Sequence, residues 1–149
     1  MSKQLPIKER PLSLMDNDFV VILFYEAQSL LILEWKRQIT LPERRAGFIQ
    51  ALSFTNQYQA KYWLVDCLQV YAISEQEKDW LLTEWIAVVT QSPILKLAVV
   101  WPDFYPALMA SMDFTHQIKE QYLAKGDIQH EVLMDYMSAW DWLFPDNNH

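Results

Sequence analysis

The sequence predicts an α/β fold with a single five-stranded mixed sheet, in the element order β-β-α-β-α-β-α-β-α. Two β-rich runs at residues 19–25 and 29–35 are separated by only three residues, which is typical of an antiparallel hairpin. After this hairpin, strand-like runs alternate with segments of helical period, which indicates parallel strands joined by right-handed crossovers. Residues 1–16 are expected to form an N-terminal arm. Residues 17–149 are expected to form one domain that ends in a short polar tail.

The first two crossover helices are predicted from their start signals. Thr40 followed by Glu43 forms a capping box, and an apolar stripe continues from there to about Tyr58. After a third strand at residues 61–67, Ser74 and Glu77 form a second capping box that predicts a helix to about residue 91.

A fourth strand at residues 95–101 precedes a helix that runs from about residue 106 to 125. Gly126 is then expected to occupy the left-handed position that follows many helices. The alternating run at residues 128–133 predicts an edge strand, and Asp135 can cap a last helix at residues 136–143. In that helix Trp140 and Trp142 are two residues apart, so only one of them can face the core.

The predicted strands are apolar on both faces, which is typical of strands covered on both sides. Right-handed crossovers, however, place the intervening helices on one face. The second face must be covered by the N-terminal arm, by one of the helices or by a second subunit, and we expect a homodimer.

Composition excludes several classes of function. The net charge of −7 argues against a nucleic-acid partner and against an anionic membrane surface. Two glycines in 149 residues cannot build a glycine-rich phosphate loop. The longest apolar run has about seven residues, which is too short to span a membrane. A single cysteine and an N-terminus without an apolar signal region favour the cytoplasm.

Candidate functional residues lie where the predicted strands end, because ligands of open α/β sheets collect at the carboxyl ends of the strands. Each candidate follows the second, third or fourth strand of the predicted sheet. They are Arg37, then Asp66, Cys67, Gln69 and Tyr71, and then Asp103 and Tyr105.

No catalytic residue is predicted. A nucleophilic Cys67 would need a nearby histidine or lysine to lower its pKa, and nothing in the sequence brings His116, His130 or His149 to it. The histidines and acids also lack metal-ligand spacing. We therefore expect a protein that is not an enzyme and that uses no metal or cofactor.

Three phrases carry a family resemblance: "LILEWKRQITLPERRAGF", "YWLVDCLQVYAISEQEKDWLLTEW" and the terminal "AWDWL". Over roughly residues 17–144 the chain resembles the STAS-like fold of the SpoIIAA-type anti-sigma-factor antagonists. It resembles still more closely a group of small, uncharacterised bacterial proteins near that fold.

In the antagonists, a strand-end aspartate leads through a loop to Asp-Ser-Ser-Gly at a helix start, where phosphorylation of the first serine releases the partner. The resemblance places Asp66 at the strand end and Val70 at the apolar loop position. Glu75 takes the place of the phosphorylated serine, with Ser74 one residue earlier. Ser74 is either the N-cap of the helix or a regulatory site.

The resemblance implies a non-enzymatic protein-interaction or regulatory module that lacks the phospho-acceptor serine. Its interaction loop would contain Asp66, Cys67, Gln69, Tyr71, Ser74 and Glu75. The alternative is a small-molecule or lipid-binding domain of the same fold.

Overall fold

The computed structural model describes the backbone of residues 3–102 and 105–147, and the side chains of residues 3–102 and 113–146. The described chain forms one mixed sheet flanked by helices. The strands are β1 (Leu12–Asp16), β2 (Val20–Tyr25), β3 (Leu30–Trp35), β4 (Tyr62–Asp66), β5 (Lys96–Val100) and β6 (Gln129–Leu133). The helices are α1 (Leu41–Tyr58), α2 (Glu75–Trp80), α3 (Ile86–Val89), α4 (Tyr105–Gly126) and α5 (Tyr136–Leu143), with a π-helical segment at Leu81–Trp85 and a 3₁₀ turn at Pro145–Asn147.

The sheet has six strands in the order β1-β2-β3-β4-β5-β6, so the five-strand prediction is corrected by one. The antiparallel β2–β3 hairpin and the parallel β3–β4–β5–β6 series match the predicted topology, with β6 at one edge.

The additional strand, β1, lies within the segment predicted to be an arm. It pairs antiparallel with β2, with a bulge between Ser13 and Met15. The tight connection to β2 is held by Asn17, whose side-chain oxygen accepts hydrogen bonds from the backbone N–H groups of Phe19 and Val20, each at 2.9 Å. Residues 12–16 form a strand because they pair with β2. The local sequence pattern of these residues does not predict that pairing.

Both predicted capping boxes are present. Thr40 and Glu43 exchange side-chain to backbone hydrogen bonds at the start of α1, and Ser74 and Glu77 do the same at the start of α2. These caps satisfy N–H groups that a helix start otherwise leaves without partners.

Helices α1 to α4 cover one face of the sheet and enclose the larger core with it. Its centre is Phe48, whose ring lies 4.7 to 6.2 Å from the ring centroids of four tryptophans. These are Trp35, Trp63, Trp80 and Trp85. The indole N–H of Trp63 donates to the Thr55 hydroxyl at 2.7 Å, so the polar edge of this ring is satisfied within the core.

The second helix of the prediction is a continuous helical run, but its middle is π-helical. The segment Leu81–Trp85 joins α2 to α3 and contributes the buried side chains of Leu81 and Trp85. The change in hydrogen-bond register rotates the downstream residues relative to a regular α-helix. The apolar periodicity of the sequence does not predict this π-helical segment.

Helix α5 and the N-terminal arm cover the other face. Tyr136, Trp140 and Leu143 pack there against the strands, and Leu5 and Ile7 of the arm add partly buried contacts. Trp140 is buried and Trp142 is partly exposed, as their spacing predicts. The reason for expecting a second subunit on this face is therefore removed.

The end of α4 differs from the prediction. Gly126 is the last residue of the helix, and Asp127 takes the left-handed conformation with φ of 58°. A Cβ at position 126 would lie 2.5 Å from the Thr90 Cβ. Glycine is therefore required here for the close approach of the two helix ends.

Candidate functional site

The carboxyl ends of the four parallel strands meet at one edge of the sheet. The longest connection at this edge, among those described in full, is the β4–α2 loop, residues 67–74, which joins the end of β4 to the start of α2. Five of the six residues predicted for the interaction loop lie in or beside this loop, and the sixth, Asp66, ends β4.

Asp66 is buried and fully engaged. Its carboxylate accepts hydrogen bonds from the Tyr136 hydroxyl at 2.6 Å and from the Leu68 N–H at 2.9 Å, and it lies 3.1 Å from the Lys3 ammonium. Burial, reinforced by the Asp66 charge, raises the pKa of Tyr136 far above its ordinary range. Asp66 therefore ties β4 to α5 and to the arm, and its side chain does not reach the surface.

Cys67 is also buried, and its N–H donates to the Val100 carbonyl at 2.8 Å. Burial raises the pKa of its thiol to about 12; the Arg44 charge lowers this pKa and the Asp66 charge raises it. Since the thiolate is the nucleophilic form, Cys67 is a protonated, sequestered thiol at neutral pH.

Gln38, which follows β3, holds the β4–α2 loop. Its side-chain oxygen accepts hydrogen bonds from the N–H groups of Tyr71 at 2.7 Å and Ala72 at 3.2 Å, and its amide nitrogen donates to the Ala72 carbonyl at 2.9 Å. Val70 is buried beneath the loop. Anchored from both sides, the loop presents Gln69 and Tyr71 outward, with Tyr71 56 % exposed.

Ser74 and Glu75 lie at the start of α2. The Ser74 hydroxyl accepts the Glu77 N–H at 3.1 Å, which is the N-cap role predicted for it. Glu75 points into solvent with its side chain 90 % exposed, 3.2 Å from the Lys78 ammonium. The position that the resemblance assigns to a phosphorylated serine is thus a fixed surface carboxylate.

Of the three predicted strand-end pocket residues, the structure describes the side chain of Arg37. Arg37 binds Glu43 at 2.7 Å and Asp18 at 3.2 Å, beside the start of α1, and these acids hold the pKa of its guanidinium above its ordinary value. Asp103 and the side chain of Tyr105 lie outside the described residues.

A feature that the sequence analysis did not identify is a partly open cavity of about 70 Å³ between the sheet and the helices above it. We call it the central cavity. It is lined by side chains from α1, β4, the β4–α2 loop, the π-helical segment, β5 and the residue after it, α4 and β6. Its polar lining includes Arg44, Cys67, Trp101 and His130.

Arg44 is the least expected of these residues. It is 2 % exposed, and its Nε donates to the Glu77 carboxylate at 2.6 Å, also in the interior. Arg44 occupies the same helical face as Phe48, Ala51 and Thr55, which are all buried. A charged residue within a buried stripe is the signal from which the sequence could have identified it.

Neither a scan against models of protein families nor a search of curated proteins found a match for the sequence. Over the part of the chain with described side chains, no group of three or more His, Cys, Asp and Glu residues is placed to hold a metal ion. Within the described residues, no helix is both long and apolar enough to cross a membrane.

Proposed function

We propose that the chain is a non-enzymatic, STAS-like protein-interaction module that binds a basic protein through the β4–α2 loop and the first turn of α2. The observation that carries this proposal is the clamp by Gln38, which fixes the loop backbone while the Tyr71 side chain remains exposed. A rigid loop loses little conformational entropy on binding, and tyrosine is among the residues that contribute most at protein interfaces.

The placement of the loop supports the STAS-like part of the proposal. A parallel strand ends in an aspartate, and the chain then passes through an anchored apolar residue to a capped helix start. Glu75 occupies the switch position with a permanent negative charge. We propose that this charge fixes the module in one binding state, where phosphorylation would otherwise set it.

Charge argues for a basic partner. A surface groove of about 320 Å³ runs beside α2 and is lined by Glu75, Asp79 and Asp113, with Lys78 among them. The chain as a whole carries a charge of −7. Three carboxylates around a groove favour a lysine or arginine side chain of the partner, and steer its approach.

The alternative, binding of a lipid or of a larger small molecule, has less support. The central cavity of about 70 Å³ is well below the roughly 300 Å³ at which pockets for drug-sized ligands begin. Its size argues against a lipid or a larger small molecule as the ligand.

Photo-crosslinking in the native host tests the proposal. A photoreactive phenylalanine analogue replaces Tyr71 in one variant and Leu95 in a control variant, followed by mass spectrometry of the adducts. Leu95 is similarly exposed, at 51 %, but it precedes β5 at the opposite edge of the sheet. We expect one protein adduct specific to position 71, with a basic surface.

A second variant tests the charge. Glu75→Lys in the position-71 background is expected to weaken the specific adduct, and added salt is expected to weaken it in the unaltered protein. Equal adducts at positions 71 and 95, or an adduct indifferent to Glu75→Lys, would contradict the proposal.

The homodimer also stays a prediction, and a dimer would have to use a surface other than the covered sheet face. Light scattering at micromolar concentration measures it. The exclusion of nucleic acid rests on the net charge, and the cytoplasmic location likewise remains an expectation.

A further inference from the structure

The outer side of β6 is an open edge of the sheet. β6 pairs with β5 in a regular parallel register over its whole length, and no described strand pairs with its other side. The N–H of Gln129 donates to the carbonyl of Leu95, on the β5 side. Since successive residues of a strand point their backbone groups to alternate sides, the N–H groups of His130 and Val132 point outward. This edge therefore presents the backbone groups with which a further strand pairs.

An ion pair lies across this edge. Glu131 is paired with Ala98, so its side chain starts on the face of the sheet that α5 covers. Helix α4 packs on the opposite face through Ile118 and Tyr122. Lys119 of α4 nevertheless reaches Glu131, with 2.8 Å between the ammonium and the carboxylate. Because the two side chains start on opposite faces of the last strand, their contact passes around the outer side of β6.

The two edges of the sheet are protected by different means. At the other edge, β1 carries a bulge between Ser13 and Met15, which interrupts regular pairing. β6 has no such irregularity, and charged side chains are the other common protection of an edge strand. A partly exposed ion pair contributes little to folding stability. The position of Lys119–Glu131 across the edge therefore explains this pair better than stability does.

A second copy of the chain would meet this ion pair twice. In the antiparallel pairing that uses both outward residues, His130 of one copy lies opposite Val132 of the other, and Glu131 lies opposite Glu131. The Lys119 side chain occupies the space that the second strand would enter. If Lys119 withdrew, two carboxylates would face each other directly, which is unfavourable. The ion pair therefore opposes this pairing both by its position and by its charge.

We infer that the outer edge of β6 is a pairing surface for a second copy of the chain, and that the Lys119–Glu131 ion pair keeps this surface closed. Exposed apolar side chains flank the edge. Leu123 lies one turn after Lys119 on α4, and Met134 directly follows β6; they are 46 % and 49 % exposed. These side chains favour association once the charges no longer oppose it.

Neutral substitutions test the inference. Lys119→Gln combined with Glu131→Gln removes both obstacles, and we expect the double variant to dimerise at least about tenfold more tightly than the unaltered protein. Light scattering over a dilution series measures the mass, and hydrogen exchange of the backbone amides locates the contact. The His130 and Val132 amides of the double variant should become protected as the protein concentration rises.

Three further variants serve as controls. His116→Gln with Glu120→Gln removes an exposed ion pair within α4 and should not promote association. Lys119→Glu with Glu131→Lys restores an ion pair across the edge in the opposite sense and should keep it closed. Lys119→Gln with Glu131→Thr, which places a strand-favouring residue in β6, is the substitute should the first double variant not fold.

Three results would overturn the inference. The first is that the His130 and Val132 amides of the double variant gain no protection at high concentration. The second is equal protection in the double variant, the α4 control and the unaltered protein, which would show that the ion pair does not close the edge. The third is protection that does not vary with concentration, which would show that the chain covers this edge itself. The photo-crosslinking experiment reads the β4–α2 loop, so its outcome leaves this result unaffected.

Discussion

Arg44 carries a positive charge into the space between α1 and the sheet, where its side chain is 2 % exposed. Glu77 balances it at 2.6 Å, and the guanidinium carbon lies 5.7 Å from the centre of the Trp35 ring. Breaking a buried ion pair on one side leaves an uncompensated charge, which typically costs about 3–5 kcal/mol. Replacing Arg44 or Glu77 alone is therefore expected to destabilise the protein more than replacing both with apolar residues.

His130 is a second buried titratable residue, and it is accommodated in the interior as a neutral ring. Its ring stacks on Tyr122 with centroids 5.0 Å apart, and burial lowers its pKa to about 4 from an ordinary value of 6.5, with Glu131 opposing this and Lys119 adding to it. Between these values the unfolded chain binds a proton that the folded chain does not. The contribution of neutral His130 to stability is therefore present above pH 6.5 and is lost as the pH falls toward 4.

We predict that His130→Phe, which keeps a ring against Tyr122 but cannot titrate, flattens the pH dependence of stability. The slope between pH 6.5 and 4 should decrease by up to about 1.4 kcal/mol per pH unit. Urea unfolding at half-unit pH steps measures it, with the difference between variant and parent at pH 7.5 as the reference. Parallel curves for the two proteins would show that His130 is not kept neutral by folding.

The packing of α1 on β3 depends on Gly47. A Cβ at this position would lie 2.5 Å from Cη2 and 2.7 Å from Cζ3 of Trp35, a large side chain that is itself fully buried. Glycine is a poor helix former, so its presence inside α1 is explained by the close approach and not by local preference.

We predict that alanine is less stable than glycine at position 47 of α1 but more stable than glycine at position 46. Gly47→Ala should lower the free energy of unfolding by about 1–3 kcal/mol through overpacking, although alanine is the better helix former. Ala46→Gly, at an exposed position, should lower it by about 1 kcal/mol through helix propensity alone. Urea denaturation of both variants measures these changes, and a Gly47→Ala variant as stable as the parent would refute the close-packing explanation.

What the sequence predicted well was local. Both capping boxes, the Asp135 cap and the hairpin depend on residues within a few positions of one another, and the parallel series follows from the alternation of elements. The bulged strand β1 is stabilised by pairing with β2, and the π-helical segment by the packing of Leu81 and Trp85. The position of Arg44 depends on Glu77, 33 residues away. Such features depend on tertiary contacts between residues that are distant in the sequence, and a local sequence pattern does not predict those contacts.

Considered as a whole, the molecule closes its sheet from both sides with a single chain. The larger core lies under α1 to α4, and the smaller one under α5 and the arm. Lys3 anchors the arm by its contacts with Glu34 at 2.5 Å and Asp66 at 3.1 Å. The arm therefore helps to cover the second face of the sheet, which a second subunit was expected to cover.

We predict that the double substitution Leu5→Ala and Ile7→Ala lowers the free energy of unfolding by roughly 1–3 kcal/mol, because both side chains are partly buried against the second face. The matched control is Met137→Ala, on the exposed side of α5, which should change stability by less than about 0.5 kcal/mol. Thermal and urea unfolding measure both. A double variant that unfolds with its parent would mean that the arm contributes no stability.

Glu77 contacts both the end of the β4–α2 loop and Arg44 in the lining of the central cavity. One carboxylate oxygen accepts the Ser74 N–H at 3.0 Å where the β4–α2 loop ends, and the other binds Arg44, which lines the central cavity. If binding of a partner to the loop changes the geometry of the Arg44–Glu77 ion pair through this carboxylate, a perturbation of the ion pair must in turn change the affinity of the loop for its partner. A single glutamate would then link the stability of a buried ion pair to the affinity of the outer loop, and each could be measured by perturbing the other.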